Sequence, residues 1–413
     1  MTRNVLFISS EAHPFVKVGG LGDVAGVLPE KLTQLSNGAY DVRLVLPYHA
    51  KIRKMNHIAR HLGNFSVEAV DADVECSLFI AKVAGVTAYL IDYPTLHDEP
   101  EVYTGDAFID GGKYAIFSVA ALEAARYLNW KPDIVHAQDW HAALALYAID
   151  TIYRDDPFFQ GVRKMLTVHN LPYNGWGAHE TMNKLGFSAS TDPDLPDWAR
   201  MVPLPLGIQS ADLVNFVSKG YAEEVLEPEL GSGLNEYLTL HKDKVIGIIN
   251  GIDEESWDPA KDPNLYAHFS KDDMSGKATN KRLVQQEFLL EPHAGIPLMV
   301  AVSRLVDQKG IRIILESLPL IANREWQFIL LGTGAPDLEQ MARDLAITFP
   351  HQVRAKILYD DALAHKLYAA GDLFLMPSLY EPCGLSQMFS MRYGTLPLAR
   401  ATGGLKDTIA DFE

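Results

Sequence analysis

The sequence predicts an α/β chain built as two doubly wound units, and three observations predict it. Short apolar runs alternate with segments of helical period along almost the whole length. Strands alternating with helices of about 10–15 residues imply βαβ units and a parallel sheet. The alternation restarts after residue 240. Finally, the runs end in polar segments rich in His, Asp, Arg, Lys and Glu, where an open α/β sheet places its ligand. At 413 residues the chain is long for one core, which agrees with two domains.

In the first unit NVLFIS (4–9) reads as a buried strand, DVAGVLPEKLTQL (23–35) as a helix and DVRLVLP (41–47) as the next strand. TAYLID (87–92), DIVHAQ (133–138), KMLTVHN (164–170) and LVNFVS (213–218) are further strands. KYAIFSVAALEAARYL (113–128) and DWHAALALYAIDTIY (139–153) are the helices among them. The second unit is expected to open on KVIGIINGID (244–253) as a short strand. After a polar stretch and a helix over 277–289 come the strands IPLMVAVSRL (296–305), QFILLGTG (327–334), AKILY (355–359) and LFLMPS (373–378). The expected domains are therefore 1–243 and 244–413. No repeat or low-complexity linker interrupts them.

Composition excludes several classes of function. An apolar fraction of 48% and a charged fraction of 22% describe an ordinary globular protein. The net charge is −17 with no Lys/Arg block, so neither nucleic acid nor an acidic membrane surface is an expected partner. An acidic chain that binds an anion needs a local basic pocket, which directs attention to single Lys and Arg residues in Gly-rich motifs. Cys76 and Cys383 form no framework and imply free thiols in a reducing compartment. VLFI is too short for a signal peptide core, and no run reaches the roughly 18 apolar residues of a membrane span. A cytoplasmic protein is expected, or the mature form of an organellar one.

The motifs sharpen this picture. Gly20, Gly22 and Ala25 spell G-x-G-x-x-A, but the match stands about ten residues beyond the strand, where a dinucleotide fingerprint opens directly from it. The acid expected after the second strand is also missing. KVGGL, with Lys17, Gly19 and Gly20, suits a phosphate met by a movable cation and a helix N-terminus. HAQDWH brings His136, Asp139 and His141 to a strand end; Asp139 is suited to cap the following helix, and the spacing has no standard metal geometry. TVHN places His169 and Asn170 at another strand end. SRLVDQKG sets Arg304 and Lys309 in one strand-to-helix loop, a diphosphate site by charge. EPCGLSQM sets Glu381 before a helix start whose Gly384, Leu385 and Ser386 amides suit phosphate or sugar. Asp71 and Asp73 form a D-x-D that precedes a strand-like run, and it is set aside.

Taken in order from residue 5 to about 409, SSEAHPFVKVGGLGDV, HAQDWHA, TVHNLPYNG, VSKGYAEEV, NGIDEESWDP, SRLVDQKG, YEPCGLSQM and RYGTLPLARATGGLKDT resemble the bacterial glycogen synthase and plant starch synthase family. The resemblance implies a GT-B fold, two Rossmann-like domains facing across a cleft. The first domain is then the acceptor side and the second the donor side, with closure about a hinge near 240–250. It implies transfer of glucose from ADP-glucose, or UDP-glucose as second choice, to the non-reducing end of an α-1,4-glucan. Configuration is retained and no metal or other cofactor is needed. Glu381, Lys309, Arg304, His169 and Asp139 match the family's catalytic-site residues; Lys17, Gly19, Gly20, Asn170, Gly384, Leu385 and Ser386 match its donor-binding positions. Tyr359 matches the residue that stacks on the base. No carboxylate is placed as a nucleophile, which favours front-face substitution over double displacement.

The chain departs from the family at Val18, where many members have Thr, and in VPLPLGIQSAD and VSKGYAEEV. Members also continue for tens of residues past TGGLKDT, so the second domain is expected to be incomplete at Glu413. A different retaining GT-B transferase, such as a sucrose-type synthase, and a non-catalytic glucan-binding homologue are the alternatives. A pyridoxal phosphate-dependent phosphorylase has no supporting motif.

Overall fold

A computed structural model describes residues 2–55 and 58–412. They form two compact units, Met1–Ile249 and Asn250–Glu413 by their internal contacts.

The first unit is built on a nine-stranded sheet. Its strands are β1 (Arg3–Ile8), β2 (Tyr40–Pro47), β3 (Ala59–Val67), β4 (Val74–Val83), β5 (Val86–Asp92), β6 (Ile134–Gln138), β7 (Arg163–Val168), β8 (Leu213–Phe216) and β9 (Val245–Gly247). The order is β3-β4-β5-β2-β1-β6-β7-β8-β9. From β5 to β9 every pairing is parallel, whereas β3, β4 and β5 pair antiparallel at one edge. Ile8 of β1 stands in register with Val45 on one side and Ala137 on the other. The helices Ala107–Tyr127 and Asp139–Asp150 are buried over most of their surface, which their largely apolar sequences and the Asp110–Lys113 pair at 3.1 Å allow. Asp106 starts the first of them by accepting the Phe108 and Ile109 amides.

Two expectations change here. The hairpin β3–β4 was not assigned from sequence, apart from the strand-like CSLFIA run. More consequentially, Val245–Gly247 pairs with β8 and completes the first sheet, so the first unit runs past the expected boundary at 243/244. An apolar run shows that a strand forms, not which sheet takes it. The segment after it belongs to the second unit for a clear reason. Trp257 stacks between His365 at 3.9 Å and Phe389 at 3.7 Å, and Asp262 accepts the Tyr393 hydroxyl and pairs with His365 Nδ1, each at 2.6 Å.

The second unit has five parallel strands: β10 (Leu298–Val302), β11 (Gln327–Leu331), β12 (Val353–Lys356), β13 (Leu373–Met376) and β14 (Leu396–Ala399), the last not expected. The order is β12-β11-β10-β13-β14, a doubly wound arrangement. Leu298 and Val300 join one apolar cluster, and Met299 and Ala301 another. The period of two therefore feeds a core on each face of the sheet.

Candidate active site

In each unit the chain order reverses beside the first strand. β1 lies between β2 and β6, and β10 lies between β11 and β13. The crevice beyond such a switch point is where doubly wound sheets bind ligands, and the sequence-predicted residues other than Tyr359 lie in the loops at these two places.

In the first unit the loop after β1 turns back on itself. Glu11 is buried, and its carboxylate accepts the backbone N–H groups of Val18 and Gly19. Gly19 is the residue before the helix Gly20–Leu35, so this helix starts at Gly20, three residues earlier than expected. Lys17 Nζ lies 2.8 Å from Asp23 Oδ1 in the first turn of that helix. Of these glycines Gly22 is the one needed for close approach, since a Cβ there would stand 3.1 Å from Glu11 Oε2, against 3.7 Å from Glu11 Oε1 for one on Gly19. Burial raises the Glu11 carboxyl to about 7 against the pull of its hydrogen bonds.

Asp139, at the end of β6, does not cap its own helix as expected. Its backbone is left-handed, with φ of 54°. Its Oδ1 reaches the end of β7 and accepts the amides of His169 at 2.8 Å and Asn170 at 3.3 Å. A non-glycine residue held at positive φ stores strain, which here is offset by the brace between two strand ends. Burial raises the Asp139 carboxyl to about 7. His169 Nε2 lies 2.9 Å from Gln138 Oε1, and burial lowers its pKa to about 3. The ring is therefore neutral; the bond to an amide oxygen assigns the proton to Nε2 and leaves Nδ1 as the acceptor. Gln138 Nε2 and Asn170 Oδ1 are buried without a hydrogen-bond partner among the described residues. His136 instead turns to Thr167 Oγ1 at 2.8 Å, and His141 packs among Tyr103, Tyr114 and Trp140, so the two histidines do not converge.

In the second unit Lys309 closes a 3-10 turn, Asp307–Lys309, after β10. Its Nζ lies 2.7 and 2.9 Å from the two oxygens of Glu381, which is 5% exposed and also accepts the Ser378 hydroxyl at 2.9 Å. The loops after β10 and β13 are tied by Leu379 N–H donating to Gln308 O at 2.8 Å. Gly310 permits this: its φ is 65°, and a Cβ there would stand 2.1 Å from Pro377 O. Gly310→Ala is expected to destabilise the protein by more than the ~1 kcal/mol of an unfavourable backbone alone. It should also lower kcat at least about tenfold by moving Lys309 off Glu381. A thermal midpoint and a turnover assay check both effects.

Arg304 is exposed on the same loop, and its guanidinium makes no ion pair among the described residues. Gly384 has φ of 73°, and Gln387 lies over the face where its Cβ would be. Leu385 precedes the helix Ser386–Arg392, which Ser386 opens. Gly404 of TGGLKD donates to Glu381 O at 3.0 Å, joining that motif to EPCGL. Tyr359 is 72% exposed beyond β12, and β12 is two strands from β10, about 10 Å across the sheet.

The structure thus brings together Lys309 with Glu381, and Asp139 with His169 and Asn170. It sets Lys17 and Gly19 in one loop, with Gly20 opening the helix that follows. Sequence reasoning missed Glu11, Gln138 and Ser378. The acid in SSEAH at the first strand end was the signal for Glu11; Gln138 in HAQDWH and Ser378 at the end of LFLMPS shared only the same strand-end position. Among the described residues, no helix is long and apolar enough to cross a membrane.

The chain is similar to known proteins over nearly its whole length. The starch synthase catalytic domain family matches residues 4–240, and the glycosyl transferases group 1 family matches residues 296–413. The glycogen synthase of Syntrophotalea carbinolica is 36% identical over 99% of this chain and 85% of that protein. That of Streptococcus pneumoniae is 38% identical, again over 99% and 85%. Among solved structures, the catalytic domain of starch synthase IV from Arabidopsis thaliana, bound to ADP and acarbose, is 33% identical with a TM-score of 0.91, covering 100% of this chain and 86% of that one. Sucrose-phosphate synthase from Thermosynechococcus elongatus, at 18% identity and a TM-score of 0.58 over 99% of this chain and 84% of that one, shares the fold. With two parallel-rich sheets of doubly wound order and these relatives over nearly its full length, the chain belongs to the glycogen synthase and starch synthase family of GT-B glucosyltransferases.

Proposed function

We propose that the chain transfers glucose from ADP-glucose to the non-reducing end of an α-1,4-glucan, with retention of configuration and without a metal. The observation that carries this reading is the Lys309–Glu381–Ser378 group at the β10/β13 switch point, with Arg304 on the same loop. As the bond from the anomeric carbon to the diphosphate breaks, negative charge grows on the leaving oxygen and positive charge on the carbon. Lys309, Arg304 and Lys17 oppose the first charge, and Glu381 the second. The acceptor hydroxyl oxygen bonds to the carbon on the face the diphosphate leaves, and its proton passes to the departing phosphate oxygen. Neutral His169, Asn170 and the Gln138 amide are suited to sugar hydroxyls, which both donate and accept. Asp139 braces His169 and Asn170.

The capture of the related starch synthase with ADP supports an adenine nucleotide donor. The exposed ring of Tyr359 suits stacking on the base, although every base offers a π-face. Cys76 and Cys383 are free, buried thiols, which supports work in a reducing cytoplasm. Initial rates with glycogen and either ADP-glucose or UDP-glucose test the reading. The expected result is nucleotide release matched by glucan growth, with a higher kcat/KM for ADP-glucose. Tight donor binding with no turnover would point instead to a non-catalytic binding protein.

A further inference from the structure

The reaction as described gives Glu11 no part, although it is 2% exposed and stands at the first switch point, three residues past the end of β1. Three donors converge on it. Oε2 accepts the amides of Val18 and Gly19, the latter at 3.2 Å, and Oε1 accepts the Tyr103 hydroxyl at 3.2 Å. That hydroxyl lies 2.9 Å from Ser10 Oγ, so the acid is fixed from the opposite side as well. The loop is shaped around the carboxylate: a Cβ on Gly22 would stand 3.1 Å from Oε2 and 3.2 Å from Lys17 Cα. Two adjacent amides turned inward need an acceptor, and Glu11 is that acceptor. Lys17 precedes them directly, so the tether fixes the backbone from which its ammonium is presented.

We propose that Glu11 is a positioning residue for the donor diphosphate: by holding the Val18 and Gly19 amides it fixes the place of Lys17, and it does not itself touch the substrate. This rests on the reading of Lys17 as a phosphate ligand. A lysine on an untethered Gly-Gly loop must order both backbone and side chain when it binds, and that cost appears as lost affinity. With the tether in place the backbone part is already met on folding. The consequence falls on the nucleotide and not on the glucan.

The test is a double-mutant cycle read by ADP titration calorimetry and by donor and glucan KM values, on the whole chain. Glu11→Ala is expected to weaken ADP binding and raise donor KM about tenfold, the scale of a lost hydrogen-bonded anchor. Glucan KM should be unchanged. Lys17→Ala should weaken ADP binding at least as much, and the double variant should be no weaker than Lys17→Ala alone. Glu11→Gln keeps a carbonyl oxygen for the two amides and should recover most of the loss. If Glu11→Ala does not fold, the same cycle is run with Glu11→Asp, whose shorter side chain draws the loop out of place. Unchanged ADP affinity without Glu11, or losses that multiply in the double variant, would overturn the proposal while leaving the donor-site reading intact. Unchanged ADP affinity in Lys17→Ala overturns the donor-site reading itself, and the positioning role with it.

Discussion

Replacing Lys309 by alanine is expected to lower kcat with ADP-glucose and glycogen about 10²–10³-fold, the scale of losing one preorganised group that meets developing charge. Glucan affinity should be nearly unchanged, because Lys309 lies at the β10 switch point against Glu381. The variant should also be less stable. Breaking a buried pair leaves one charge uncompensated and typically costs about 3–5 kcal/mol. Here the lysine keeps some contact with solvent, which places the loss at the lower end. The two effects separate in the double variant Lys309→Ala with Glu381→Gln. Removing the stranded carboxylate restores much of the thermal midpoint, whereas turnover stays low because both the cation and the carboxylate that meet developing charge are then missing. If turnover returned with stability, Lys309 and Glu381 would be structural partners only. Equal losses in kcat and in glucan binding would likewise count against its leaving-group role.

Asp139→Ala is expected to lower kcat by about 10²-fold or more, because it releases the amides that hold His169 and Asn170 at the end of β7. Asp139→Asn keeps an oxygen at the same place and tolerates the left-handed backbone, so it should recover at least about tenfold of that loss. The same pair has a pH signature. Asp139 titrates at about 7 when folded, against 3.8 as the ordinary value. Between about 4 and 7 the folded state therefore holds a proton that the unfolded state has lost, and stability falls as pH rises through this window. Above 7 the contribution is flat. His49, His136 and His169, held at about 3, 4 and 3, act in the opposite sense below 6.5. The carboxylate's share is thus read as a difference. From pH 5 to pH 8 the wild-type thermal midpoint should fall relative to that of Asp139→Asn. A constant gap between the two would show that Asp139 is ionised throughout.

Much of this protein can be read from its sequence because its strands are short apolar runs and its helices are long and periodic. Pairing is another matter. Lys309 and Glu381 are 72 residues apart; their motifs were visible, but only the crossing of the chain from β12 past β10 to β13 puts one side chain on the other. Asp139 looked like a helix cap because its residue type and place fit one. The left-handed turn that sends its carboxylate to β7 leaves no mark in local sequence. Glu11 escaped for a related reason, since its partners are backbone amides seven and eight residues on. The edge hairpin β3–β4 is only partly buried, so its apolar pattern is weak. KVGGL gave the opposite lesson: the fingerprint match was literal but misplaced. Of the glycines it flagged, Gly22 lets the loop close on a buried acid.

The central claim is that the charged groups at the two switch points serve glucosyl transfer from a nucleotide to a glucan. Incubation with ADP-glucose labelled in the sugar, in the presence of glycogen, tests it most directly. The account predicts that label enters the polymer in step with ADP release, and that β-amylase, which trims from non-reducing ends, removes it again as labelled maltose. Label that stays out of the polymer, or that β-amylase cannot remove, would contradict it.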